Sequence, residues 1–219
     1  AKELGSPAYK VVQAGAKALG NNKDGIDFSL EDDYYGDTRF HIPFIAWYQV
    51  MNASLALTTM EVLKDRIPVT MEQLQAGIAN TRWQGRMETI LPGVIVDGAH
   101  NEDGVRRFVE TAERFQKEYP LTLLFSAVND KDYQDMIHTI CSRIKFRKVV
   151  TTEVGGYREV PSAELAEIFC KEGCKDIGNS DNIEEAFHMA HEAKGEDGML
   201  FCVGSLYLVG EIKTLLLKK

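Results

Sequence analysis

The sequence contains few cysteines, and they do not form the two pairs from which a structural zinc site is built. The 219-residue chain has four, Cys141, Cys170, Cys174 and Cys202, and no second Cys or His pair lies near Cys170 and Cys174. Cys141, Cys170 and Cys202 fall in apolar patterns and are interpreted as small core residues. We therefore expect no metal ligands, and a reducing, cytoplasmic setting.

Long apolar runs and an excess of positive charge are also missing. No segment approaches the roughly 20 apolar residues that a membrane-spanning helix needs, and the first residues do not resemble a signal peptide. The formal net charge is −8, whereas nucleic acids and anionic membranes favour proteins with a basic face. We expect neither as a partner, although a local basic pocket for a nucleotide is compatible with this charge.

The usual phosphate-binding loops are absent as well. A P-loop has the pattern Gly-x-x-x-x-Gly-Lys-Ser/Thr, and the nearest match, from Gly15 to Gly20, is followed by Asn21 where the lysine is required. The Gly-x-Gly-x-x-Gly fingerprint of dinucleotide-binding proteins does not occur either. This sequence therefore lacks the common cradles for nucleotide phosphates.

The most informative segment that is present is 94–101, Val-Ile-Val-Asp-Gly-Ala-His-Asn. Its β-branched residues predict a strand, and the apolar spacing that follows predicts a helix. Asp97, His100 and Asn101 are then expected where a strand ends and a helix begins, the place where open α/β sheets bind ligands. Taken alone, Asp97 and Asn101 fit equally well as simple caps of a turn and a helix.

From residue 88 onward, strand and helix patterns alternate. Strands are predicted at 88–90, 93–97, 121–126, 147–151, 175–178 and 199–203, and helices at 103–117, 132–144, 161–172, 182–194 and 206–217. This alternation predicts an α/β fold, namely a Rossmann-like, mostly parallel sheet with helices on both faces.

Residues 1–82 lack this alternation. Strands are predicted at 8–13, at 26–30 and as a weaker pair within 34–42, and helices at 44–63 and 70–80. The second helix is predicted to begin with a capping box between Thr70 and Gln73. Because so few elements bury little core, we expect the end of a larger domain here, followed by a linker at 83–87 and a second domain at 88–219.

Four motifs, taken in order, resemble a known family. They are Tyr48-Gln49-Val50-Met51-Asn52-Ala53, Trp83-Gln84-Gly85-Arg86, Asp97-Gly98-Ala99-His100-Asn101 and Gly204-Ser205. They resemble the C-terminal portion of folylpolyglutamate synthase/dihydrofolate synthase, a member of the Mur ligase superfamily, across nearly the whole chain. The chain departs from the family pattern at two positions. Gln84 replaces the proline of the family's Trp-Pro-Gly-Arg motif, and Glu102 lies where the family often has proline.

The resemblance implies an ATP-dependent amide ligase that adds glutamate to a reduced folate, or to dihydropteroate, through an acyl phosphate. ATP, Mg²⁺, L-glutamate and the folate or pteroate are the implied cofactors and partners. Residues 1–82 are then the tail of a central ATP-binding domain, whose P-loop, Mg²⁺-binding residues and modified lysine precede this sequence. The chain by itself is expected to be inactive, and the full-length enzyme to be a cytoplasmic monomer.

The resemblance also implies which residues form the ATP site. Asn52 and Arg86 match family residues that contact ATP, and Asp97 and His100 match residues that reach the nucleotide from the C-terminal domain. Asp97 and His100 are assigned to domain closure and to contact with phosphate or ribose, not to nucleophilic attack. Without the family, Asn52 is a solvated helix position and Arg86 a surface residue.

Two further residues complete the predicted site. Lys131 follows a predicted strand and matches a Lys-Asp pair of the family, which makes it a third catalytic candidate beside Asp97 and His100. Ser205 matches a serine close to the substrate amino acid. The simpler interpretations are a solvated turn at Lys131, with Asp132 as the helix N-cap, and a helix cap at Ser205.

Three alternatives stay open at this point. The protein could be another Mur-type ligase acting on a peptidoglycan precursor, or a Rossmann-like binding module without catalysis. Within the folate branch, which the Trp-x-Gly-Arg and Asp-Gly-Ala-His-Asn motifs together favour, the sequence does not separate dihydrofolate synthase from folylpolyglutamate synthase or from an enzyme with both activities.

Overall fold

The computed structural model describes residues 5, 7–10, 15–22, 25–156 and 158–217, and the chain divides into two compact units, Ala1–Arg82 and Trp83–Lys219. The strands are β1 Ala16–Asn22, β2 Gly25–Leu30, β3 Phe40–Ile42, β4 Glu88–Leu91, β5 Val94–Asp97, β6 Leu121–Phe125, β7 Phe146–Thr151, β8 Ile177–Asn179 and β9 Met199–Val203. The helices are α1 Tyr48–Leu63, α2 Met71–Ala79, α3 Glu102–Phe115, α4 Tyr133–Arg143, α5 Ser162–Lys171, α6 Ile183–Lys194 and α7 Leu206–Leu217. Within the described residues, none of the helices combines the length and apolar character needed to cross a membrane.

The first unit is a three-stranded antiparallel sheet in the order β1-β2-β3 with the helices α1 and α2. Strand β1 was not predicted from the sequence, because the alanines and the glycine of this strand are residues with low strand propensity. The strand predicted at 8–13 is not found at residues 8–10, and 11–13 lie outside the described residues. Of the strand pair predicted within 34–42, only β3 forms.

The predicted start is correct for one helix of the first unit and wrong for the other. The capping box of α2 is confirmed, since Thr70 Oγ1 accepts from Gln73 N and Gln73 Oε1 accepts from Thr70 N. Helix α1, in contrast, begins at Tyr48 and not at residue 44. The apolar residues at 44–46 are buried without being helical, so their pattern reflects core packing of an irregular segment.

The second unit confirms the predicted α/β architecture. Its six-stranded sheet has the order β4-β5-β9-β6-β7-β8, in which only the β4–β5 pair is antiparallel. Each strand and helix lies within two residues of its predicted bounds. Alternating side chains of the strands face opposite layers of helices, as expected for a sheet that is buried on both faces.

Aromatic and aliphatic contacts define the two helical layers. On one face, Phe201 of β9 packs edge to face on Phe108 of α3, and Phe125 of β6 packs on Phe169 of α5, while α4 packs between these two helices. On the other face, the intervening strand residues form a core with the buried side chains of α6 and α7: Val94, Val96, Leu124, Leu200, Cys202, Ala186, Phe187, Leu208, Val209 and Ile212.

The strands of the second unit end in register, which creates a common edge for polar residues. Asp97 pairs with Val203, Val203 with Phe125, Phe125 with Thr151, and Thr151 with Asn179. The loops after these five residues therefore emerge side by side. We call this side of the sheet the carboxyl edge.

Two of the three cysteines predicted in the core do not lie there. Cys202 is buried, as expected, but Cys141 is only partly buried and Cys170 is exposed. In α5 the buried residues are Leu165 and Phe169, and the residue after Phe169 is rotated by about 100° toward solvent. Helical apolar spacing alone did not resolve this difference.

Candidate functional site

A tight turn, Gly85-Arg86-Met87, lies at the carboxyl edge before β4, and we call it the Arg86 turn. Gly85 and Met87 both have left-handed backbones, with φ of 68° and 46°, and this conformation is costly for methionine. Surrounding contacts fix it: Gly85 O accepts from Gly98 N at 2.7 Å, and Met87 N donates to Asp97 Oδ2 at 2.8 Å. Arg86 is thereby held between two anchored neighbours, with its guanidinium 5.8 Å from the centre of the Trp83 ring.

The carboxylate of Asp97 is the centre of this arrangement. It is 3% exposed, and its second oxygen, Oδ1, accepts from Ala99 N at 2.8 Å. Burial raises its pKa to about 6, against the opposing effect of the Met87 and Ala99 N–H groups and of the charges on Arg86 and His100. Asp97 therefore ties the Arg86 turn to the end of β5, a structural contribution that goes beyond the turn capping given above as its simpler interpretation.

His100 and Asn101 continue the motif into α3. His100 Nδ1 donates to Gly98 O at 2.7 Å, and because a carbonyl oxygen only accepts, this bond places the proton of a neutral ring on Nδ1 and leaves Nε2 as an acceptor. Asn101 Oδ1 accepts from Gly104 N at 2.8 Å, which confirms its interpretation as the N-cap of α3. The positive end of α3 thus lies directly beside the imidazole.

Gly204 and Ser205 follow β9, the strand next to Asp97. Gly204 has a φ of 110°, a conformation that favours glycine. Ser205 is 2% exposed, and its Oγ accepts from Tyr207 N at 3.1 Å. The predicted cap at the start of α7 is therefore present, and the same hydroxyl lies at the carboxyl edge.

Lys131 lies on the loop between β6 and α4. Its Nζ is 4.0 Å from Asp130 Oδ2, and the side chain is 38% exposed. The N-cap of α4 is Asp132, as predicted, with Oδ1 accepting from Asp135 N. Lys131 and the Arg86 turn thus belong to loops that leave the same edge of the same sheet.

The sequence analysis missed other polar residues at this edge. Arg158, on the loop after β7, donates to Asp130 Oδ2 at 3.2 Å and to the Tyr207 hydroxyl at 3.0 Å, so it bridges the loop after β6 and the first turn of α7. Ser126, at the end of β6, is fully buried, and its Oγ has no hydrogen-bond partner among the described residues. Neither residue belongs to a motif, and only the folded loops bring them to the edge.

Asn52 lies in the first unit, on α1. Its Nδ2 donates to Gln49 Oε1 at 2.8 Å, whereas Gln49 is 2% exposed and its Nε2 has no partner among the described residues. The two amides therefore form a linked pair, and Asn52 itself is exposed on α1, as the simpler interpretation of a solvated helix position expects.

The chemistry of the carboxyl edge suits an anion. Three cationic side chains, Arg86, Lys131 and Arg158, lie on its loops, and α3 and α7 begin there with positive ends of their dipoles. Among the described residues, no group of three or more His, Cys, Asp or Glu side chains could hold a metal ion. This donor set fits phosphate or carboxylate groups.

The raised pKa of Asp97 makes a testable prediction about stability. Because the folded value, about 6, lies above the ordinary value of 3.8, the contribution of Asp97 is fully present below about pH 4 and is lost as the pH rises through about 6. Measured by urea unfolding, the wild type is expected to lose on the order of 3 kcal/mol relative to Asp97→Asn between about pH 4 and pH 7.

A control of opposite sign is available on the same unit. Asp197 is exposed and its pKa is lowered, chiefly by its hydrogen bonds with Arg147. The wild type should therefore not lose stability relative to Asp197→Asn as the pH rises. A difference between wild type and Asp97→Asn that stays constant over this pH range would contradict the assignment for Asp97.

Comparison with known proteins identifies the family of this chain. Residues 85–206, which include the Arg86 turn and extend past Ser205, match the family described as Mur ligase, glutamate ligase domain. Since this match covers more than half of the chain, the protein belongs to the Mur ligase family. The match begins in the turn that carries Arg86.

Individual relatives show which members of the family this chain resembles. The chain is 30% identical over 194 residues to the dihydrofolate synthase/folylpolyglutamate synthase of Bacillus subtilis, a match that covers 85% of the chain and 43% of the relative. The predicted resemblance to the C-terminal portion of this group is confirmed. The chain spans somewhat less than half the length of that relative.

Solved structures share the fold. The folylpolyglutamate synthase of Mycobacterium tuberculosis, complexed with ADP and AMPPCP, superposes with a TM-score of 0.74 at 23% identity, over 93% of this chain and 48% of that one. For the folylpolyglutamate synthase of Thermotoga maritima the TM-score is 0.73 at 24% identity, over 92% of this chain and 46% of that one.

Proposed function

We propose that this chain is part of an ATP-dependent ligase that joins L-glutamate to a reduced folate, or to dihydropteroate, through an acyl phosphate. The observation that carries the proposal is the Arg86 turn, which Asp97 and Gly98 of the Asp-Gly-Ala-His-Asn motif hold at the carboxyl edge. In this proposal, residues 1–82 form the end of an ATP-binding domain, 83–87 a linker and 88–219 the ligase domain.

The reaction requires two anions to be brought together and the charge on the transferring phosphoryl group to be stabilised. ATP phosphorylates the acceptor carboxylate, the amine of glutamate attacks the acyl phosphate, and phosphate leaves. In the proposed roles, Arg86, His100 and Lys131 contact phosphate or ribose, and Ser205 contacts the incoming glutamate. Asp97 contributes by holding the Arg86 turn.

The remaining groups are assigned by the same proposal. Asn52, linked to Gln49, contacts ATP from the first unit. Mg²⁺ assists phosphoryl transfer by neutralising charge, but the described residues offer no cluster to hold it, so no step is assigned to it here. We expect the complete enzyme to act as a cytoplasmic monomer and the 219-residue chain alone to be inactive.

An acceptor screen tests this function. The full-length protein is incubated with ATP, Mg²⁺ and labelled glutamate, together with dihydropteroate or tetrahydrofolate, and both ADP and the mass of the product are measured. We expect ADP to form only when glutamate and a pterin acceptor are both present, and the product to carry at least one added glutamate. The acceptor that reacts separates the two synthase activities.

Other results of the same screen would contradict the proposal. Turnover with a peptidoglycan precursor and an amino acid, but with no pterin, indicates another Mur-type ligase. Nucleotide binding without turnover on any acceptor indicates a binding module.

A further inference from the structure

An ion pair joins the last helix to the strand that follows the Arg86 turn. Lys213 Nζ, on α7, donates to Glu88 Oε1 at 2.7 Å and to Oε2 at 3.0 Å. The two side chains are 26% and 28% exposed, so solvent screens this pair less than it screens a fully exposed one. The contact spans 125 residues of sequence.

The Glu88 carboxylate has a second partner inside the turn. Its Oε2 accepts from Gly85 N at 2.7 Å, and Gly85 and Met87 are the neighbours of Arg86. Together with the bonds from Gly98 N to Gly85 O and from Met87 N to Asp97, three anchors fix the backbone on both sides of Arg86. Two of these anchors come from the β5 motif, and the third comes from Glu88.

Helix α7 also packs directly on the turn. Leu206, Val209 and Lys213 recur at the spacing of three and four residues that places side chains on one helical face. A Cβ atom added at Gly85 would lie 3.2 Å from Val209 Cγ1 and 3.7 Å from Leu206 Cδ2. The same face of α7 thus contacts the turn through apolar side chains and secures it through Lys213.

We propose that Glu88 and Lys213 are positioning residues that hold Arg86 in its place. Lys213 fixes the Glu88 carboxylate, and Glu88 fixes the amide of Gly85, one residue before Arg86. Because Ser205 caps the start of α7, this helix connects the residue assigned to glutamate with the residue assigned to the nucleotide. The nucleotide contact of Arg86 rests on the proposed function, whereas the positioning of its backbone does not.

Trypsin provides a test that is independent of ligase activity, because it cleaves the Arg86–Met87 bond only when the turn opens. In the full-length protein, Lys213→Met and Glu88→Gln are expected to raise cleavage at this bond about fivefold, well below the unfolding temperature, by loosening a local anchor. Mass spectrometry identifies the bond. Lys148→Met is the matched control, since Lys148 pairs with Asp176 at 2.8 Å, is 22% exposed and lies on β7.

The second readout is kinetic. Lys213→Met is expected to raise KM for ATP about fivefold with a smaller change in kcat, and Lys213→Arg, which keeps the charge, is expected to restore KM. Lys148→Met should leave both unchanged. A general loss of stability would lower kcat and the unfolding temperature in Lys148→Met and Lys213→Met alike.

The outcomes separate the two proposals. Cleavage at Arg86–Met87 that is the same in wild type, Lys213→Met and Glu88→Gln overturns the positioning role, whatever the kinetics show. Faster cleavage with an unchanged KM for ATP supports the positioning of the turn and counts against the nucleotide contact of Arg86.

Discussion

Under the proposed function, replacement of Arg86 by alanine in the full-length protein is expected to lower kcat/KM for ATP-dependent glutamate addition by about 100-fold. The structure anchors the backbone on both sides of Arg86 through Asp97, Gly98 and Glu88. In the proposed role, a cation on a backbone that is already ordered stabilises phosphoryl charge with less further ordering. Initial rates of ADP formation at varied ATP concentrations measure the effect.

Two further variants sharpen the interpretation. Arg86→Lys keeps the charge but loses the planar fork of donors, so it should recover only part of the rate. Arg106→Ala is the control, because Arg106 is 52% exposed on α3 and pairs with Glu102 one turn away, and it should change the rate less than twofold. Full activity of Arg86→Ala would exclude the proposed clamp.

Gly204→Ala is expected to destabilise the second unit by about 3 kcal/mol or more. The φ of 110° at this position disfavours any side chain. A Cβ there would also overlap the carbonyl oxygen of Ser126 and lie 2.7 Å from the Phe125 ring. Because β9 and β6 are adjacent central strands, neither can move aside without breaking the sheet.

The effect can be measured by urea unfolding followed by circular dichroism. Gly210→Ala is the matched control: Gly210 lies in α7 with no atom within 4 Å of an added Cβ, and alanine in a helix interior is expected to stabilise by about 1 kcal/mol. An unchanged midpoint for Gly204→Ala would show that the strand ends are looser than the structure indicates.

The second unit was predictable from sequence because its helices and strands alternate and carry clear apolar periods. A stripe such as Met136, Ile137 and Ile140 can be buried in only one way on a helix, and all three are buried in α4. The first unit was less predictable. Its β1 has weak strand propensity and owes its conformation to pairing with β2, and its residues 44–46 are apolar without being helical.

The candidate site was likewise predictable from the sequence only in part. Asp97, His100, Asn101 and Ser205 could be predicted to stand at strand ends and helix starts, because their positions follow from neighbouring residues in the chain. The bond from Met87 N to Asp97 and the deep burial of that carboxylate could not. They depend on β4 folding back antiparallel to β5.

The sequence by itself determined the order of elements in the second unit, its parallel α/β class and the motifs that resemble the family, since all of these are encoded in local spacing. Only the tertiary structure decided which side chains meet: Arg158 with Tyr207, and Glu88 with Lys213. The physical reason is that contacts between residues 49 and 125 positions apart leave no periodic trace in the chain. They arise when the order of strands in the sheet brings distant loops and helices to one edge.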